Sequence, residues 1–340
     1  MEKLVKKTKG LTRDQNRLIF YCLMLIWPVF QIAIFYFYVN ANTVILAFQK
    51  EVNVVIQEAG KNVTIKGSEF TLNNFSRAWN VLIVEHWPYI LNSMKFYAID
   101  FPVALTLALS FSFYIYKKYP CAGLFKTMLF MPTLVSSLVF CILFRYLSTD
   151  GYKEIMCLIN DLPVTMENRA EYKGLLENPD TAMPTLIFYN IWVSFGSNIL
   201  LYSGAMSGID ESVVESAHLD GANLIQEFWH ITLPLIFPTI ISLVVVSLTG
   251  IFTNQLGLLN LFGETIGNWP DVENKVTTIG YKMYIYAKKL TNSEYNVDKF
   301  GSTYYTEGEL AAYGLLISLI IIPLVLGIRA FMKKYGPSTD

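Results

Sequence analysis

Six apolar stretches of about twenty residues recur along this 340-residue sequence, near 18–40, 92–116, 124–146, 184–207, 234–253 and 310–331. That length covers roughly 30 Å of hydrocarbon at about 1.5 Å per helical residue. Backbone in lipid finds no water to bond, so each stretch must satisfy its own N–H and C=O groups as a helix. Composition agrees: 53% of residues are hydrophobic and 16% charged, against roughly 25% charged in soluble domains. A soluble globular chain and a disordered one are both excluded. The expected fold is an all-α polytopic membrane protein with six transmembrane helices. The first stretch is too long for a signal-peptide core, and no small-residue cleavage site follows it, so it reads as a retained anchor.

Basic residues set the direction. With a cytoplasmic N-terminus, the inside segments 1–17, 117–126, 208–233 and 329–340 hold 12 Lys or Arg in 65 residues. The outside segments 41–91, 147–183 and 254–308 hold 12 in 143. The inside density is about twice the outside, so both termini read as cytoplasmic. The expected division is a tail, 1–17, and a single transmembrane domain, 18–340. The net charge of −1 leaves no polybasic footprint for nucleic acid. In the first outside segment, EVNVVIQEAGKNVTIK (51–66) places alternating β-branched stretches on either side of Ala59-Gly60, which predicts a small hairpin. The three long outside segments are expected to form a cap that can receive a partner.

Catalytic and metal chemistry find little support. Cys22, Cys121, Cys141 and Cys157 have no ligand spacing and read as small apolar packing residues. His218 and His230 stand 12 residues apart in one loop and imply no metal. No GxxxxGK[ST] phosphate loop occurs in the sequence. The spans carry no Ser/Lys or Asp/Asp pair and no HExxH, so no catalytic residue is assigned. Asp100 lies in the second span, about 16 residues before Lys117, and reads as an interfacial or helix-packing acid, not a proton relay.

One inside segment departs from the charge rule. Residues 208–232, GIDESVVESAHLDGANLIQEFWHIT, contain no Lys or Arg. Val213, Ala217, Leu224, Phe228 and Ile231 recur near helical spacing, and Gly221 interrupts them, which predicts two short helices meeting at a bend. Asp220 is a candidate cap for the second. The run Glu215-Ser216-Ala217-His218-Leu219-Asp220-Gly221-Ala222, with Phe228, Ile231, Leu233 and Pro234 beyond it, resembles the EAA loop of ABC importer permeases. The surrounding text is similar to their carbohydrate-uptake branch, and the resemblance covers roughly residues 70–334. Ser216 stands where the family usually has Ala.

The resemblance implies a plasma-membrane permease subunit in a prokaryotic cell, moving a sugar or oligosaccharide. It implies four kinds of partner: a second, homologous permease, two ATPase subunits that would hold ATP and its Mg in place of this chain, an extracellular solute-binding protein and the small-molecule sugar itself. The loop would dock on the ATPase through Glu215, Ser216, Ala217, Asp220, Gly221 and Ala222. It also puts Thr133, Ser137, Asn190 and Ser194 at sugar-lining positions, with Thr249 and Thr253 of the fifth span less surely matched. Neutral side chains suit a sugar on their own account: Ser136, Trp192, Ser197, Asn198, Ser247 and Asn254 are further candidates in the same spans, and Asn190, Ser194 and Ser197 share a helix face. Two family features are absent, an asparagine-rich turn near the fifth span and a Gly-Gly-Pro turn before the sixth. The alternatives are the same importer for a polyol, glycerol phosphate or peptide, and a secondary carrier.

Overall fold

The computed structural model describes residues 13–58, 61–263, 270–291 and 306–337. Its main elements in chain order are α1 (Arg17–Ala47), β1 (Gln49–Glu58), β2 (Lys61–Phe70), α2 (Asn73–Asn80), α3 (Trp87–Tyr116), α4 (Ala122–Leu134), α5 (Ser137–Tyr146), α6 (Ala182–Ser207), α7 (Glu211–Leu219), α8 (Leu224–Thr249) and α9 (Glu307–Tyr335). Two compact units divide the chain, residues 1–78 with 304–315, and residues 79–303 with 316–340.

In the first unit the helix of α1 already opens at Arg13, so the last residues of the expected tail are helical, while residues 1–12 lie outside the described set. Phe20, Trp27, Phe35 and Phe37 along α1 are all exposed, as suits a helix whose solvent is lipid. The predicted hairpin is present: β1 and β2 pair antiparallel, Gln49 opposite Phe70 and Glu58 opposite Lys61. Ala59 and Gly60 lie outside the described residues. Buried Asn74 ties the strand to α1, its Nδ2 donating to the carbonyls of Ala47 (3.0 Å) and Gln49 (2.8 Å). Arg77 pairs with the buried carboxylate of Glu309 at 2.6 Å.

In the second unit α3 and α6 pack along one another, and the Ser112 hydroxyl donates to the Ile199 carbonyl across them (3.1 Å). At Gly196 a Cβ would stand 2.2 Å from the Leu129 carbonyl oxygen, so only glycine lets α4 approach α6 this closely. One apolar core gathers Phe96, Phe144, Leu186, Tyr189, Leu258 and Tyr281. Asn92 secures that end of α3 by donating to the Asn274 and Thr277 carbonyls (2.8 and 3.2 Å).

Among the described residues α1, α3, α8 and α9 are long and apolar enough to cross a membrane. A fifth candidate is a bent pair, Ala122–Thr133 with Ser137–Ile159, meeting at 92°. The third expected span, 124–146, is therefore not one straight helix. Pro132 stands inside α4, and Val135 is extended at φ −74°, ψ 145°; proline withholds a backbone donor and crowds the preceding turn. The fourth expected span corresponds to α6, whose 26 residues give about 39 Å of length. Asn190, Ser194, Ser197 and Asn198 make it more polar than the others. Cys141 and Cys157 are buried as expected, while Cys22 and Cys121 are exposed.

Candidate functional site

The acidic segment folds as two helices at an elbow, as its sequence predicts. The Asp210 carboxylate caps α7, accepting from the Ser212 backbone N–H (3.0 Å) and hydroxyl (2.9 Å). These bonds, the backbone one foremost, hold its pKa below the usual carboxylate range. α7 then ends in a reciprocal turn: Gly221 N–H donates to the His218 carbonyl (3.1 Å) and Ala222 N–H to that of Ala217 (3.0 Å). Gly221 sits at φ +82°, the left-handed conformation that this type of helix end requires. Asp220 lies at the C-cap of α7 and does not cap the second helix. Asn223 does: its Oδ1 accepts from Gln226 N–H while Gln226 Oε1 accepts from Asn223 N–H, both 2.9 Å. A capping box satisfies two helix-end donors at once, which an aspartate three residues earlier cannot reach.

The elbow is held from within by an acid. Glu227 is completely buried; its carboxylate lies 2.5 Å from Lys117 Nζ, just past α3, and 3.3 Å from His218 Nε2 of α7. Phe228 packs edge-on against Phe113 beside it, ring centroids 5.0 Å apart. Glu215, Ser216, Asp220 and Gly221 are exposed, and Ala217 and Ala222 half-buried. The Ser216 hydroxyl donates to the Ser212 carbonyl in its own helix (2.7 Å). The buried face is shifted from the one the apolar spacing predicts: Val214 is buried and Val213 exposed. Leu219 (89% exposed), Ile225 (71%) and Trp229 (58%) point outward, so part of the apolar pattern serves an outer surface and not the core.

Away from the elbow, α3, α6 and α8 enclose a cavity of about 260 Å³. Asn190, Ser194, Asn198 and Tyr202 of α6 line it at a strict four-residue spacing, one stripe of a helix. Ser93, Tyr97 and Asp100 of α3 face that stripe, with Ser247 and Asn254 at the end of α8. The Tyr97 hydroxyl donates to Ser247 Oγ (2.7 Å), and Asn190 Nδ2 to the Leu186 and Leu256 carbonyls (2.9 and 3.1 Å). Asp100 Oδ1 is buried without a hydrogen-bond partner. The cavity thus brings together Asn190, Ser194, Asn198, Ser247 and Asn254 of the sequence candidates. Thr133, Ser136, Ser137, Trp192, Ser197, Thr249 and Thr253 do not line it. Thr133 Oγ1 bonds the Phe130 carbonyl of its own helix (2.6 Å), and Trp192 packs edge-on against Phe140. Sequence reasoning passed over Tyr97 and Tyr202, which looked like ordinary aromatic packing. It read Asp100 as a packing acid, although its spacing from Tyr97 and Ser93 already put the three on one face.

Long apolar helices around a polar cavity, with a capped helical elbow exposed at one end, define the permease component of a membrane transporter. The chain belongs to the family of binding-protein-dependent transport system inner membrane components, whose model matches residues 100–339. It is a bacterial plasma-membrane protein of that family. It is 26% identical over 320 residues to the arabinooligosaccharides transport system permease protein AraP of Bacillus subtilis, covering 91% of this chain and 86% of that one. It is 28% identical over 216 residues to the lactose transport system permease protein LacF of Rhizobium radiobacter, covering 63% and 67%. The fold is shared with a bacterial ABC transporter that imports the acidic polysaccharide alginate: TM-score 0.67, 18% identity, 95% of this chain and 98% of that one.

Proposed function

We propose that this chain is one membrane half of an ATP-driven importer that carries a sugar or oligosaccharide into the cytoplasm. A second, similar permease completes the pathway, two ATPase subunits dock on the inside, and an extracellular binding protein delivers the solute. The chain crosses six times with both termini cytoplasmic; the bent pair supplies the third crossing and α6 the fourth. Bent and polar helices are tolerated in membranes where they line a protein-enclosed path.

The observation that carries this reading is the elbow. Its helix ends are fully capped, its buried side is pinned by Glu227, and its free side presents Leu219, Ile225 and Trp229 beside Glu215. A rigid, exposed, mixed apolar and acidic surface suits a protein groove. ATPase closure pushes on α7 and the start of α8. The ion pair to Lys117 carries that push to α3, and α8 itself reaches the cavity. Glu215, Ser216, Ala217, Asp220, Gly221 and Ala222 form the docking loop. Asn190 and Ser194 line the sugar path within this chain. Ser137, Thr249 and Thr253 are exposed on the isolated chain, which suits a wall completed by the second permease; Thr133 stands half-buried beside them in sequence.

The test is purification of the tagged chain from mild detergent with its partners. A co-purifying ATPase whose activity rises with sugar-loaded binding protein supports the importer. Glu215→Ala combined with Gly221→Asp is expected to abolish that rise; uptake surviving the double variant sinks the coupling role. A chain that purifies alone and transports without ATP is a secondary carrier instead.

A further inference from the structure

The cavity between α3, α6 and α8 has an unusual charge pattern. Among its lining residues there is one acid, Asp100, and no Lys, Arg or His. The neighbouring polar groups already have partners: Tyr97 bonds Ser247, Asn190 bonds two carbonyls, and Asn254 Oδ1 accepts from Leu256 N–H (2.9 Å). Asp100 Oδ1 has none, though it is shut off from solvent. A buried acceptor left unbonded costs stability, and native structures pair nearly all such groups. An ionisable side chain kept within a membrane helix marks a solute path or a relay. Relay needs a chain of titratable groups; the lining offers only tyrosines beside this acid. Water or a solute hydroxyl entering the cavity can supply the donor.

We propose that Asp100 is the specificity-determining residue of this cavity, accepting hydroxyl hydrogen bonds from a saccharide that bears no anionic substituent. The inference rests on the sugar reading above and adds its charge class. Asp100 is only partly buried and lines the cavity, so a sugar hydroxyl donates to the accessible side of its carboxylate while other hydroxyls meet Ser194 and Asn198. A uronate brings a second negative charge into a cavity without a cation to offset it, and like charges at short range in low dielectric repel strongly. The fold leaves this choice open, since it is shared with an importer of an acidic polysaccharide. On this chain's side of the path, the lining sets the preference.

The test is retention of radiolabelled trisaccharides by the whole purified importer without its binding protein, so that the membrane cavity alone selects. The probes are neutral maltotriose, xylotriose and arabinotriose, and trigalacturonate as the acid. Wild type is expected to retain at least one neutral probe and to retain trigalacturonate at least tenfold less. In Asp100→Asn the neutral probe should bind about tenfold more weakly, the size of one charge-assisted hydrogen bond. The penalty against trigalacturonate should shrink in the same variant. Asp100→Glu keeps the charge and should keep the exclusion, which separates charge from any loss of packing. Equal retention of neutral and acidic probes by wild type, or an unchanged preference in Asp100→Asn, overturns the role of Asp100 alone. If wild type retains no trisaccharide, the sugar reading itself falls and takes this inference with it.

Discussion

Two carboxylates in this chain are removed from water in opposite ways. Glu227, beneath the elbow, is completely buried but stands 2.5 Å from Lys117 and 3.3 Å from His218. Asp100, in the cavity, has a buried oxygen with no hydrogen-bond partner. Both sit in a unit otherwise dominated by apolar helices. The first acid's charge is offset within the protein by an ion pair, although neither of its oxygens makes a hydrogen bond of good geometry. The second lines the cavity and has no ion-pair partner among the described residues. Burial alone therefore does not sort the two acids; the ion pair of one and the cavity beside the other do.

The largest effect is expected at the compensated acid. Glu227→Gln leaves the largely buried Lys117 ammonium without its counter-charge, and breaking a buried pair from one side costs about 3–5 kcal/mol. Thermal melting of the detergent-purified assembly should fall sharply, and coupling of ATPase activity to transport should fall with it. A melt within a degree of wild type would erase the distinction drawn between the two acids. Next comes Gly221→Ala, which forces a Cβ into the left-handed region at about 1–2 kcal/mol. The loss should be smaller in Gly221→Asn, because asparagine tolerates that conformation, and comparing the two melts checks it. Asn223→Ala removes the capping box at about 1 kcal/mol, seen as a modest drop in the same measurement. His218→Ala should cost less than about 1 kcal/mol, because the imidazole is half exposed and screened by solvent. Equal losses for His218→Ala and Glu227→Gln would make the histidine, not Lys117, the main partner. The smallest effect belongs to the cavity acid. Asp100→Asn should melt at or slightly above wild type, since it removes a partly buried carboxylate that has no ion-pair partner among the described residues.

Much of the elbow was legible in the sequence. Gly221 marked the bend, flanking helical periodicity marked two helices, and the fit to the family pattern marked the loop. The caps were only half legible. Asp220 and Asn223 are both good capping residues, and which one closes the second helix depends on where the first helix stops. That stop is set by the reciprocal bonds of Gly221 and Ala222. The face of α7 was read one residue out of place, because an apolar pattern does not say whether a residue faces the core or a partner. The hairpin was legible from β-branched alternation around Ala59-Gly60. The third span was legible in length and not in shape: Pro132 announced a possible kink, but proline inside a helix does not fix an angle of 92°.

The sequence by itself determined that this chain lives in lipid, because no fold of this size can hide so much apolar surface from water. It also determined where the helical elbow lies, because local turn chemistry acts over neighbouring residues. Only the tertiary structure decided which polar residues meet. Asn190, Ser194 and Asn198 converge with Tyr97 and Asp100 because α3 and α6 pack side by side, while Thr133, Ser137, Thr249 and Thr253 fall outside. It likewise decided that Glu227 finds Lys117 across 110 residues of chain. Pairings of that kind are set by how whole helices pack, and no periodicity within one helix records them.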